Sequence, residues 1–147
     1  KTSSAASDVY KRQLLNQLLI DLQSLFRTSF RKKKFTLSQI NLISSIPING
    51  IEMTSISSYL GIDNSTLTRN VNVLIKQNIL KRDVNPKDGR SKLLVLTSDG
   101  INVKLELENI IEKIGNKLLK NKIIVDSDQF IDMLDALHWE INKLKLK

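Results

Sequence analysis

The chain has 147 residues, of which 41% are hydrophobic and 5% aromatic, and it carries a formal net charge of +8. That length suits a single domain, residues 1–147, with a core of Leu, Ile and Val. There is no cysteine and one histidine, His138, which excludes disulfides, thiolate metal sites, cysteine nucleophiles and a multi-histidine metal centre within one chain.

The charge is unevenly spread. Residues 1–98 hold 15 Lys and Arg against 6 Asp and Glu, whereas residues 99–147 hold 8 against 9. A basic excess of this kind favours a polyanionic partner. No apolar run approaches the ~18 residues that a membrane span needs. The first seven residues lack the apolar core of a signal peptide, so a cytoplasmic protein with no membrane partner is the default expectation.

In chain order, residues 1–7 are small and polar and are expected to be disordered. A helix then runs from about Asp8 to Phe30. Its apolar set, Leu14, Leu15, Leu18, Leu19, Leu22, Leu25 and Phe26, is wide enough for more than one neighbour. The run Arg31–Lys34 reads either as a solvated charge cluster or as an auxiliary phosphate contact. Thr36 or Ser38 can cap a second helix that buries Ile40, Leu42, Ile43 and Ile46, and Pro47, Asn49 and Gly50 end it. A short third helix covers roughly Glu52 to Leu60.

Gly61 then provides a left-handed stop, and Asp63 provides a cap for the next helix. That helix buries Leu67, Val71, Leu74 and Ile75 at i, i+4, i+7 and i+8. Its opposite face carries Ser65, Thr68, Arg69, Asn72 and Lys76. All are donors or cations, and none is acidic. Two short helices joined by so tight a turn form a helix-turn-helix, whose second helix suits a major groove. Asn70 points partly inward and is expected to be structural.

The period then changes. Ile79–Val84 and Ser91–Thr97 are β-prone runs around Asn85–Arg90, where Asp88-Gly89 signals a hairpin turn. Thr97 caps a long helix from about Ser98 to Lys120, with Asp99 placed for the helix dipole. Ser127, between Asp126 and Asp128, is expected to cap a last helix that buries Phe130, Ile131, Leu134, Leu137, Ile141 and Leu144. The expected fold is therefore mainly α with a small β-hairpin wing, a winged helix-turn-helix flanked by long dimerisation helices.

Asp88-Gly89-Arg90, then Leu94-Val95-Leu96-Thr97 and Gly100, resembles the wing signature of the MarR family of bacterial regulators. Ser65-Thr66-Leu67-Thr68-Arg69 is similar to the opening of that family's recognition helix. Leu74, Ile79-Leu80 and Arg82 are similar to its passage from helix to wing. The resemblance covers roughly residues 36–100 closely and the helical flanks in outline. Asn78 departs from it, standing where the family often has glycine, but Asn tolerates the left-handed turn.

The resemblance implies a DNA-binding lobe at 36–97 and a helical dimerisation region at 8–30 and 98–146. It implies a homodimer on double-stranded DNA, reading a pseudo-palindrome, most often as a repressor. Base readers would be Ser65, Thr66, Thr68, Arg69 and Asn72, the last reading adenine, with Lys76 beside them. On the wing, Lys87, Arg90 and Lys92 would meet DNA, with Arg90 in the minor groove and Asp88 holding its guanidinium. Many family members also bind a small anionic or phenolic effector, which nothing in this sequence identifies. Tyr10, Phe26, Phe30 and Trp139 are read as pocket or core aromatics. An enzyme is poorly supported, since there is no phosphate-binding glycine loop and no identifiable carboxylate pair, and no cofactor is called for. The alternative is a winged-helix module for protein or RNA contact.

Overall fold

A computed structural model describes residues 2–120 and 127–146. In chain order these form α1 (Thr2–Ser29), α2 (Leu37–Ser45), β1 (Ile51–Glu52), α3 (Met53–Leu60), α4 (Asn64–Lys76), β2 (Leu80–Asn85), β3 (Asp88–Leu96), α5 (Ser98–Leu119) and α6 (Ser127–Lys145). The chain divides into two compact units, Lys1–Ile110 and Ile111–Lys147. Among the described residues no helix is long and apolar enough to cross a membrane.

The first unit holds the helix-turn-helix and a three-stranded antiparallel sheet in the order β1-β3-β2. Its core is aliphatic. Ile40, Leu42, Ile43 and Ile46 of α2 are buried, as are Ile56 of α3 and Leu67, Val71 and Leu74 of α4. Ile79, Leu80, Leu94, Leu96 and Leu107 complete it. Each such side chain contributes about 1.5–3 kcal/mol of transfer free energy, so this cluster is what holds the short helices in place.

The caps follow their residues. Thr36 closes α2 with a full capping box, its side chain accepting from the Gln39 backbone while the Gln39 side chain accepts from the Thr36 backbone. Gly61 ends α3 at φ 65, a left-handed conformation that costs glycine little.

Three expectations are corrected here. Helix α1 begins at Thr2, not near Asp8: once the leucine-rich part has nucleated, each added small residue extends the ladder at little cost, and Ala5 and Ala6 are strong helix formers. Glu52 is not in a helix. It pairs in β1, where Ile51 faces Leu94 and Glu52 faces Leu93. The hairpin turn is at Pro86-Lys87 rather than Asp88-Gly89, because Pro86 presets the turn dihedral and the Asn85 side-chain oxygen accepts from the Lys87 backbone at 3.0 Å. Asp88 and Gly89 already belong to β3.

In the second unit α6 begins at Ser127. The Asp126 part of its expected cap lies outside the described residues. The expected aromatic core is only partly present. In the first unit Phe30 is buried and meets Phe26 in a tilted pair with ring centroids 5.8 Å apart. Tyr10 and Trp139 are 63% and 65% exposed. Within a single chain the apolar residues of α1 and α6 find too few neighbours to cover them.

Candidate nucleic-acid interface

Helix α4 is fastened at its start by Asp63. The carboxylate accepts from the Thr66 backbone at 2.8 Å and from the Thr66 hydroxyl at 2.7 Å, and Ser65 donates its hydroxyl to the same group. The hydroxyl of Ser65 first, then the hydroxyl and backbone N–H of Thr66, hold the Asp63 carboxyl far below the usual carboxylate range. A depressed folded-state pKa gives stability that is present above the unfolded value, about 4, and is lost as pH falls through it toward the folded value. Wild type should therefore exceed Asp63→Asn in stability at pH 7, and the gap should shrink between pH 5 and 3. Urea midpoints across that range test this, and a constant gap would rule Asp63 out as the titrating cap.

Ser65, Thr68, Arg69, Asn72 and Lys76 are all exposed on α4, as their spacing predicts. Thr66 is half-buried, and its hydroxyl hydrogen is committed to Asp63. Asn70 is structural: its amide donates to the Ser38 hydroxyl at 2.8 Å and ties α4 to α2.

The wing is held by a network that sequence reasoning missed. Asn85 is only 7% exposed. Its amide donates to Glu52 and to the Ser91 hydroxyl, both at 2.8 Å. The Ser91 hydroxyl also lies 3.3 Å from Glu52. Strand pairing jumps here, from Val84 opposite Lys92 to Asn85 opposite Asp88. Gly89, Arg90 and Ser91 are thereby left in a bulge, and the bulge carries Arg90 outward. Asn85 followed by Pro86 was the available signal, since Asn hydrogen-bonds the backbone two residues on.

Asp88 does not hold the Arg90 guanidinium. Its Oδ1 accepts from the Arg90 backbone N–H at 3.0 Å, because a short Asp side chain reaches the amide two residues on more readily than the end of a long arginine. The Arg90 side chain is exposed. Lys87 and Lys92 are exposed as well. Among the described residues, no carboxylate pairs with Arg69, Lys76, Lys87, Arg90 or Lys92. The basic run 31–34 differs, since Lys33 is ion-paired with Glu106 of α5.

Helix α4 is joined to the wing at one place and to the start of α5 at another. Arg82 of β2 donates to the Asn72 Oδ1 of α4 at 3.0 Å. At the far end of α4, Asn78 adopts φ 60, and its amide donates to Asp99 at 2.8 Å. The Thr97 hydroxyl donates to the Asn78 carbonyl at 2.6 Å and accepts from the Gly100 N–H at 3.0 Å. Among the described residues no group of three or more His, Asp or Glu is placed to hold a metal ion. The arrangement presents cations and hydrogen-bonding groups on an exposed surface, which suits phosphates and base edges.

No protein-family model matches the chain, and neither does any curated protein. Solved structures do match in fold. The multiple antibiotic resistance repressor MarR superposes with a TM-score of 0.74 at 20% identity, over 85% of this chain and 92% of that one. The transcriptional regulator SlyA gives 0.73 at 19% identity, over 90% and 94%. CouR from Rhodococcus jostii, bound to p-coumaroyl-CoA, gives 0.76 at 14% identity, over 87% and 88%. The chain has the winged helix fold of the MarR-type regulators, the family to which its wing residues pointed.

Proposed function

We propose that this protein is a MarR-type transcriptional regulator that binds a pseudo-palindromic double-stranded DNA operator as a homodimer, most simply as a repressor. The observation that carries this reading is the set of exposed cations without carboxylate partners among the described residues, Arg69 and Lys76 on α4 and Lys87, Arg90 and Lys92 on the wing. The fold shared with MarR, SlyA and CouR supports it, since the first two are named a repressor and a transcriptional regulator.

Residues 36–97 form the DNA-binding lobe in this reading, and 8–30 with 98–146 the dimerisation region. Affinity comes from lysines and arginines on phosphates and falls steeply with salt. Specificity comes from Ser65, Thr68, Arg69 and Asn72 at base edges, and from Arg90 through the shape of the minor groove. Ser65 and Thr66 play the smaller part and can meet a base only as acceptors, because both hydroxyl hydrogens are held by the cap.

Dimerisation is supported by exposed leucines. Leu14, Leu15, Leu18, Leu19, Leu22 and Leu25 of α1 are exposed, and so are Ile131, Leu134, Leu137, Ile141 and Leu144 of α6. Apolar patches on this scale mark an interface. Small-molecule release is supported by a recess of about 290 Å³ where α1 leads into α2, lined by Phe30, Phe35, Arg27, Arg31 and Lys33 among others. Its size and charge suit a small aromatic anion.

Arg69→Ala and Arg90→Ala should each cost ~1–3 kcal/mol of specific binding, read by gel shift on a duplex selected from a random pool. Wild-type affinity in both variants would sink the assignment of these residues. A pool that returns no palindrome would favour a module for protein or RNA contact.

A further inference from the structure

Arg82 was not among the residues expected to touch DNA, yet it decides what Asn72 can read. A free Asn side chain carries an acceptor oxygen and a donor NH2 group and can turn either toward a base. It reads adenine by using both, accepting from the N6 amino group while donating to N7. In this fold the amide is not free. Arg82 donates to Asn72 Oδ1 at 3.0 Å, and an arginine has five N–H donors and no acceptor. The guanidinium therefore admits only one orientation of the amide, with oxygen toward the wing and NH2 away from it.

The backbone keeps Arg82 in place. In the β2–β3 ladder Leu80 pairs with Leu96 and Arg82 with Leu94. Leu80, Leu94 and Leu96 are buried. Directly paired residues share a face of the sheet, so Arg82 lies on the core-facing side of the edge strand and extends past the core to α4. No carboxylate pairs with it among the described residues, so its charge is not otherwise neutralised. Both Arg82 and Asn72 are exposed.

We propose that Arg82 and Asn72 act as one donor-only reader that selects guanine, rather than adenine, at one position of each half-site. The exposed Asn72 NH2 and the remaining guanidinium N–H groups both require acceptors. Guanine offers two side by side in the major groove, O6 and N7. Adenine offers N7 beside an N6 amino group, and that group meets donors and a positive charge. Arg82 thereby holds Oδ1 toward itself, against the adenine-reading mode of an isolated Asn72, which needs that oxygen turned to the base. This inference rests on the DNA-binding reading above and names a specificity within it.

The test is selection from a random duplex pool with wild type, Arg82→Ala, Asn72→Ala and Arg82→Lys, each checked for folding by its thermal melt. Wild type should enrich a guanine in each half-site, and replacing it by adenine should weaken binding roughly tenfold or more. Arg82→Ala frees the amide and should move that single position toward adenine, leaving the others unchanged. Asn72→Ala should flatten the preference at the same position. Arg82→Lys keeps a donor-only partner and should retain guanine. The salt slope separates base reading from phosphate contact, because loss of a phosphate ligand lowers it by about 1. An Arg82→Ala motif identical to that of wild type, or an affinity loss uniform across duplexes with a reduced salt slope, would overturn the proposal. So would adenine at the Asn72-dependent position in wild type. If wild type enriches no duplex at all, the DNA-binding reading itself falls.

Discussion

Gly100→Ala should lower stability by about 3 kcal/mol, a loss of roughly 10 °C in Tm for a domain of this size. A Cβ built on Gly100 would stand 2.1 Å from the carbonyl oxygen of Ile79 and 3.2 Å from Leu96 Cδ2. The carbonyl cannot easily retreat. It accepts from the Thr97 backbone at 3.0 Å, and the Thr97 hydroxyl, which donates to the neighbouring Asn78 carbonyl at 2.6 Å, lies 3.2 Å from it. The first of these bonds sets the entry of α5 against the end of α4. A methyl group at Gly100 must break that junction or push the two elements apart, and α4 carries the face proposed to bind DNA. Gly115→Ala is the control. Its added Cβ meets nothing within 4 Å, and in a helix interior alanine should gain about 0.5–1 kcal/mol. Thermal melts of the two variants should therefore move in opposite directions. A Gly100→Ala protein that melts with wild type would mean the α4–α5 junction is far more yielding than its hydrogen bonds suggest.

Leu15→Glu combined with Leu18→Glu on α1 should produce a monomer with operator affinity reduced roughly a hundredfold or more. Leu15 is 66% exposed and Leu18 47% exposed in the single chain, so the substitutions disturb little of the monomer's own packing. In a dimer the same residues are buried, and two unpaired carboxylates there are costly. A monomer engages one half-site at a time and loses the gain from linking two recognition helices. Sedimentation velocity reports the mass, and a gel shift on the full palindrome reports the affinity. The melt should stay cooperative, which separates loss of the dimer from loss of the fold. A variant that remains dimeric would exclude this part of α1 from the interface.

Helix α4 was legible because its signals are local. Asp63 as cap, Gly61 as stop and the spacing of Leu67, Val71 and Leu74 each act within one or two turns of chain. Thr36 with Gln39 is likewise a four-residue pattern. The wing was legible as a hairpin but not in its register. Asp88-Gly89 and Asn85-Pro86-Lys87 compete for the turn, and the winner depends on where Asn85 can bury its amide. That burial needs Glu52, which is 33 residues away. A two-residue strand such as β1 has no period to detect, so Glu52 looked like the start of a helix.

The chain's own order of residues determined the helices, their caps, the polar outer face of α4 and the excess of exposed leucines on α1 and α6, because each depends on neighbours a few positions apart. It also carried the wing signature in Asp88, Arg90, Thr97 and Gly100, without the reason for it. Tertiary structure decided what those residues do. Asp88 binds backbone rather than guanidinium, Gly100 makes room for a carbonyl, and Arg82 turns the amide of Asn72. These are contacts between elements, and hydrogen bonds and close packing reward particular pairs only once the aliphatic core has brought the elements to within about 3 Å of one another.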